Sequence, residues 1–260
     1  MLVVGEASGD AHGARFVEAL HRRDPQVKVY GVAGEQLERS QFEPLFNVAQ
    51  LTGMGLVELA GNLRNIWRAY ALLKRTLRAR RPNLLVLIDF PEFNLRLARC
   101  AKSLGIPVLY YVSPQIWAWR KNRVQQISRW VDQMAVIFPF ETDFYERHGV
   151  KVSFVGHPLL EIVKPNAGRA ETLAKLGLNP SRPVIALLPG SRRGEVTRHL
   201  PAMAEAALEL SRERKAQFFC IRAPTINREE LRSWLDQTGV QMPIVEDDRY
   251  GAIQASDVAW

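Results

Sequence analysis

Val184-Ile185-Ala186-Leu187-Leu188-Pro189-Gly190-Ser191-Arg192 is the stretch whose reading decides the fold. Its apolar run predicts a buried parallel strand, Pro189 and Gly190 end it, and a helix is expected to open near Glu195. Ser191 and Arg192 then fall at the carboxyl end of a strand, where open α/β sheets hold their ligands. The free N–H groups of the next helix and the Arg192 guanidinium together suit an anion such as a diphosphate. An ordinary strand-to-helix turn with a solvated arginine explains so short a motif equally well. Its position favours the ligand, because a second α/β half begins here.

Outward from this point, apolar runs of strand length alternate with amphipathic helical patterns. Strands are expected over 2–4, 27–32, 84–88, 108–112, 134–137 and 152–155, and helices over 11–23, 63–80, 94–104, 120–130 and 141–148. Beyond the key stretch come a long helix to about 214, a strand over 217–221, a helix over 229–238, a strand over 243–245 and a short helix near 250–255. Such alternation predicts an α/β fold with mostly parallel sheets covered on both faces. The polar segment 164–179, with Pro165, Asn166 and Gly168, reads as a linker and entry helix, giving domains over 1–163 and 164–260. The first strand has little before Val3, and Ala255 to Trp260 starts a new strand as the chain stops, so the parent fold is expected to be longer.

A net charge of +8 calls for an anionic partner. The excess is local: residues 51–130 carry 14 lysines and arginines against three acids, Glu58, Asp89 and Glu92. No nucleic-acid-binding module accompanies it, so nucleic acid is not expected as a partner. Cys100 and Cys220 lack metal or redox spacing and read as buried thiols in a reducing compartment. The histidines form no metal-ligand cluster with carboxylates, so no metal is expected, and no apolar run reaches membrane-spanning length. One stretch, Leu51 to Tyr70, mixes small, apolar and basic residues. Met54, Leu56, Leu59, Leu63, Ile66 and Trp67 can line an apolar strip that dips into acyl chains while Arg64, Arg68, Lys74 and Arg75 meet lipid phosphates. A core-facing helix with a solvated basic side fits the same amphipathicity.

Seven motifs occur in order: Gly5-Glu6-Ala7-Ser8-Gly9-Asp10, Met54-Gly55-Leu56-Val57-Glu58, Ile88-Asp89-Phe90-Pro91-Glu92-Phe93-Asn94, Tyr111-Val112-Ser113-Pro114-Gln115-Ile116-Trp117-Ala118-Trp119-Arg120, Phe138-Pro139-Phe140-Glu141, Val155-Gly156-His157-Pro158 and Leu188-Pro189-Gly190-Ser191-Arg192. Together they closely resemble the lipid-A-disaccharide synthases, bacterial glycosyltransferases of the GT-B type, over the whole chain. The resemblance implies two Rossmann-like domains, the first binding an acceptor and the second, incomplete here, a nucleotide sugar. It implies metal-free, cofactor-free, inverting transfer of 2,3-diacylglucosamine from its UDP derivative to 2,3-diacylglucosamine 1-phosphate, on the cytoplasmic side of the inner membrane. In the family, the strand that begins at Ala255-Ser256-Asp257 is followed by a Ser-Gly-Thr-Ala-Thr-Leu-Glu turn that completes the diphosphate site; this sequence stops before it.

Inverting transfer needs a base for the acceptor hydroxyl. Asp89 closes the apolar run 84–88 and is the candidate, with Glu92 its rival; poor solvation after five apolar residues raises a carboxyl pKa usefully. The resemblance places a candidate base at the same position. Glu6, Ser8 and Asp10 ride the first turn and can bind sugar or cap the helix. The spacing is not that of a dinucleotide motif, so no NAD is expected. Asn94, Ser113, Gln115, Trp119 and Arg120 complete the acceptor or sugar set, with Gln115 for hydroxyls, tryptophan faces for sugar or acyl chains, and Arg120 for the acceptor phosphate. His157 reads as a hinge residue. Gly190, Ser191 and Arg192 would take the donor diphosphate and stabilise its leaving charge. Two competing readings are a non-catalytic lipid-binding module and a GT-B transferase using a soluble UDP-sugar.

Overall fold

The computed structural model describes residues 1–51, 59–118, 123–163 and 167–260. These form two compact units, Met1–Pro158 and Leu159–Trp260. In the first, strands β1 (Leu2–Val4), β2 (Val29–Ala33), β3 (Phe42–Asn47), β4 (Leu85–Ile88), β5 (Val108–Tyr111), β6 (Gln133–Val136) and β7 (Val152–Phe154) alternate with helices α1 (Ala7–Arg23), α2 (Glu35–Glu38), α3 (Leu59–Arg80), α4 (Pro91–Ser103), α5 (Val124–Trp130) and α6 (Pro139–Glu146). The strands form one seven-stranded sheet in the order β3-β2-β1-β4-β5-β6-β7, and every pairing is parallel.

The central strands β1 and β4 are wholly buried and apolar, as a parallel sheet covered on both faces requires. On α3, Ala69, Leu73 and Leu77 recur at i, i+4 and i+8 and are fully buried, while Arg68, Arg75 and Arg78 face solvent. Each of those leucines contributes roughly 1.5–3 kcal/mol of burial.

Two departures from the expected elements matter. Strand β3 was not expected: Glu43 and Pro44 make Phe42–Asn47 a poor strand pattern, but at the sheet edge a proline is tolerated. Helix α1 starts at Ala7 instead of 11, so Ser8 and Asp10 lie in its first turn and only Gly5 and Glu6 form the strand–helix connection.

The second unit holds helices α7 (Leu159–Ile162), α8 (Arg169–Lys175), α9 (Arg193–Arg214), α10 (Arg228–Gln237) and α11 (Arg249–Ala255) and strands β8 (Val184–Leu187), β9 (Gln217–Ile221), β10 (Ile244–Val245) and β11 (Val258–Ala259). Its sheet is parallel in the order β10-β9-β8-β11, so the expected new strand near the end pairs with β8. Val196, Leu200, Ala204 and Ala207 form the buried seam of α9. Asp257 ties β8 to β11: its Oδ2 accepts the Val184 N–H at 2.8 Å and an Arg169 N–H at 3.0 Å.

Candidate active site

Parallel strands put all their carboxyl ends on one edge of a sheet. In the first unit that edge gathers Glu6 after β1, Asp89 after β4, Ser113 after β5 and Phe138 after β6. The backbone there is strained. Asp89, Phe90 and Val112 adopt left-handed conformations with φ of 55°, 44° and 62°. For a β-branched valine this is a true outlier, and such residues persist only where neighbours enforce them.

The enforcing groups are identifiable. Asn94 Nδ2 donates to the carbonyls of Ile88 at 3.1 Å and Asp89 at 2.7 Å. The Tyr110 hydroxyl donates to the same Asp89 carbonyl at 2.6 Å. Two glycines give the turn its room. A Cβ on Gly5 would lie 2.1 Å from Phe90 Cβ, and one on Gly9 would lie 2.7 Å from Asp89 Oδ2. The carboxylate therefore rests against the first turn of α1.

Held there, Asp89 makes no side-chain hydrogen bond or ion pair among the described residues. Burial, aided by the negative charge of Glu6, raises its pKa from 3.8 to about 6. A carboxylate that is poorly solvated, unpaired and poised near neutrality has the properties of a general base. The rival Glu92 differs: it is exposed and paired with Arg123 at 2.6 Å.

Other predicted residues fall elsewhere. Asp10 does not face the edge. It is buried, its Oδ1 accepts the N–H groups of Gly34 at 2.7 Å and Leu37 at 3.3 Å, and its Oδ2 accepts that of Gln36 at 2.9 Å. It caps α2. Asn94 is fully buried and grips the backbone on either side of the Ile88–Asp89 bond, so it positions Asp89. Ser113 is also buried; it shares a 2.6 Å hydrogen bond with the Tyr145 hydroxyl and donates to the Pro114 carbonyl at 3.0 Å. Beside it lies Glu141, buried, with Oε2 accepting the Phe138 N–H at 3.1 Å and its pKa raised by desolvation. This network supports the loop after β5. Glu6, Ser8 and Gln115 are exposed at the edge, whereas Trp119 and Arg120 lie outside the described residues.

In the second unit, Gly190 has a φ of 132°, so the chain turns sharply after β8. Ser191 and Arg192 lead into α9, as expected. The Glu195 carboxylate sits over this turn: Oε2 accepts the N–H groups of Ser191 at 3.0 Å and Arg192 at 3.1 Å, and Oε1 accepts from the Arg192 guanidinium at 2.9 Å. The donors expected for an anion thus converge on one point.

The model of the lipid-A-disaccharide synthetase family matches residues 1–260. The chain belongs to that family. A lipid-A-disaccharide synthase of Geobacter metallireducens is 44% identical over 99% of this chain and 67% of its own length. One of Syntrophus aciditrophicus is 44% identical over 100% of this chain and 68% of its own. The chain therefore spans about two thirds of these curated relatives. Among solved structures, a UDP-GlcNAc 2-epimerase of Neisseria meningitidis bound to UDP-GlcNAc superimposes with a TM-score of 0.65 at 14% identity, covering 99% of this chain and 76% of that one. At that identity the likeness concerns the fold, which is α/β with two Rossmann-like units of the GT-B type.

Within this family frame, the apolar strip divides. Met54 and Leu56 lie outside the described residues, and Leu59 opens α3. Leu63 and Trp67, one helical turn apart, are 54% and 65% exposed, beside exposed Arg64 and Arg68. Ile66 is half-buried and packs partly against the core. Among the described residues no helix is long and apolar enough to cross a membrane.

Proposed function

We propose that this protein performs inverting transfer of 2,3-diacylglucosamine from its UDP derivative to 2,3-diacylglucosamine 1-phosphate, giving the β-1,6-linked disaccharide 1-phosphate and UDP. The observation that carries the reading is Asp89, a desolvated carboxylate without a side-chain partner among the described residues, at a sheet edge of a lipid-A-disaccharide synthetase family member. The first unit takes the acceptor. An acceptor hydroxyl oxygen attacks the anomeric carbon, its proton passes to Asp89, and the bond from that carbon to the diphosphate oxygen breaks. Exposed Glu6, Ser8 and Gln115, with Trp119 and Arg120, contact sugar and acceptor phosphate. The second unit takes the donor, and the N–H groups at Ser191 and Arg192 with the Arg192 guanidinium stabilise the charge on departing UDP. No metal is needed for that charge if the arginine carries it.

The reading includes peripheral attachment to the cytoplasmic face of the inner membrane. Leu63 and Trp67 supply apolar surface, and Arg64 and Arg68 meet anionic headgroups. The family match favours this lipid substrate over a soluble UDP-sugar and favours an enzyme over a passive lipid carrier.

Steady-state transfer by the Arg192→Ala variant tests the assignment of the units. Losing one charged hydrogen-bonding partner of the diphosphate should raise donor KM about ten- to hundredfold and leave acceptor KM unchanged. A raised acceptor KM with normal donor KM would reverse the two units.

A further inference from the structure

We propose that Tyr145 and Ser113 are positioning residues: their buried hydroxyl pair holds the left-handed turn at Val112 and so fixes the loop of residues 113–118, which presents Gln115 to the acceptor. The inference rests on the acceptor reading of the first unit. Strand β5 keeps its ladder as far as Val112, whose N–H donates to the Ala135 carbonyl at 3.0 Å. There the chain takes a φ of 62° and leaves the sheet. A β-branched residue in that conformation is held by its surroundings, not by its own preference. Pro114, two residues on, has no N–H with which to anchor the turn. Side chains supply the hold instead.

Those side chains come from α6. Tyr145 is fully buried, and desolvation raises its phenol above the ordinary range, so the hydroxyl keeps its proton. The single proton of the Ser113 hydroxyl goes to the Pro114 carbonyl at 3.0 Å. Ser113 Oγ therefore accepts from the Tyr145 hydroxyl at 2.6 Å. The Pro114 carbonyl also accepts the Ile116 N–H at 2.6 Å. Two hydroxyls thus form a relay from helix to loop. Glu141, one turn before Tyr145, is buried on the same face of α6. Phe140 adds an edge-on contact with the Trp117 ring, 4.9 Å between centroids at 83°.

The loop is pinned at intervals and open between them. Val112, Ser113 and Ile116 are buried, whereas Gln115 is exposed. Gln115 owes its place to the anchored residues on either side of it. Ser113, buried and with its proton given to Pro114, acts on the acceptor through the loop and not by contact. The end of β4 is built in the same way: the Tyr110 hydroxyl grips the Asp89 carbonyl at 2.6 Å beside another left-handed stretch. Tyr110 and Val112 are two residues apart, so one strand carries both holds. The first fixes the base and the second fixes the loop that meets the acceptor.

Tyr145→Phe, Ser113→Ala and the double variant test this. Each single change removes one hydroxyl oxygen and keeps the rest of the side chain, and melting curves verify that the variants fold. Hydrogen exchange over residues 112–118 reads the loop without any substrate. It should quicken about tenfold or more in both single variants while the rest of β5 keeps its protection. In steady-state transfer both should raise acceptor KM about ten- to a hundredfold and leave donor KM unchanged. The double variant should lose no more than either single one, because both break the same relay. A loss in Ser113→Ala alone would mean that Ser113 meets the substrate directly, and would overturn the proposal. So would unchanged exchange, faster exchange with unchanged kinetics, or equal rises in donor and acceptor KM. Faster exchange in the variants of a protein whose wild type binds no 2,3-diacylglucosamine 1-phosphate would retain the hold on the loop and overturn the acceptor reading instead.

Discussion

Replacing Asp89 by Asn should stabilise the fold while abolishing transfer. The two side chains are nearly isosteric, both tolerate the left-handed φ of 55°, and Asp89 has no side-chain hydrogen bond among the described residues to lose. What the substitution removes is a desolvated charge. The shift from 3.8 to about 6 is about two units, or about 3 kcal/mol at 1.36 kcal/mol per unit. The sign follows from which state holds the proton. Below pH 3.8 the carboxyl is protonated in both folded and unfolded chains, so it costs nothing. Between that pH and about 6 the unfolded chain releases the proton first, and stability falls as pH rises. Above about 6 the penalty is complete and constant. Urea denaturation of wild type and variant at about pH 8 and about pH 4.5 reads the difference directly. The variant should gain up to about 3 kcal/mol at the higher pH and much less at the lower. Transfer should fall by about two to four powers of ten, and wild-type kcat/KM should lose activity below an apparent pKa near 6. A variant that is less stable at the higher pH, or a gain independent of pH, would refute the claim that Asp89 is held ionised at a cost. Full activity would remove it from the chemistry and leave Glu92 as the base.

Asp10→Ala should do the reverse, lowering stability without touching the reacting atoms. It leaves the N–H groups of Gly34, Gln36 and Leu37 without their carboxylate, and a loss of about 3 kcal/mol or more in urea denaturation is expected; a loss below about 1 kcal/mol would show that water replaces the cap. For the membrane, the double substitution Leu63→Ser with Trp67→Ser should cut binding to anionic vesicles while the melting temperature holds, since both side chains are more than half exposed. Adding salt to wild type should weaken vesicle binding without eliminating it, because the basic part is screened and the apolar part is not. A marked fall in melting temperature would return the strip to the core.

Much of the fold and part of the site can be read from periodicity. The strands at Leu85–Ile88 and Val184–Leu187 are apolar runs of the right length, and a polar residue just past such a run must lie at the ligand-bearing edge. That reasoning puts Asp89, Ser191 and Arg192 just past strand ends without coordinates, and that is where the structure has them. It fails where a long-range partner overrides local preference. Ser8-Gly9-Asp10 has the composition of a turn, yet it is helical, because Gly9 is where Asp89 crosses α1 and Asp10 is drawn into a cap 24 to 27 residues away. Strand β3 escapes because Pro44 is a strand breaker everywhere except an edge. Tyr110 and Asn94 look like core and ligand residues respectively, and nothing local shows that both grip the Asp89 carbonyl. Glu195 carries a readable signal, a glutamate three residues past a helix start, but that signal predicts only a cap.

The two units handle charge in opposite ways, and the chemistry explains why. On the proposed reading of Asp89 as base, a carboxylate without side-chain partners among the described residues is ready to accept a proton, while hydrogen bonds hold its backbone instead. The left-handed pair Asp89 and Phe90 costs of order 1–3 kcal/mol per residue, and the bonds from Asn94 and Tyr110 offset it. Without that grip the turn would relax and the carboxylate could find water or a cation, lowering its pKa and its usefulness as a base. On the proposed donor reading of the second unit, a leaving-group site must instead be ready to receive negative charge, and the turn after β8 brings its donors together. In the structure these donors meet the Glu195 carboxylate, which accepts from both N–H groups and from the Arg192 guanidinium. On the proposed reading, a carboxylate without side-chain partners among the described residues and a carboxylate paired with the donors of its turn answer one requirement, that the reacting charges meet groups already in place.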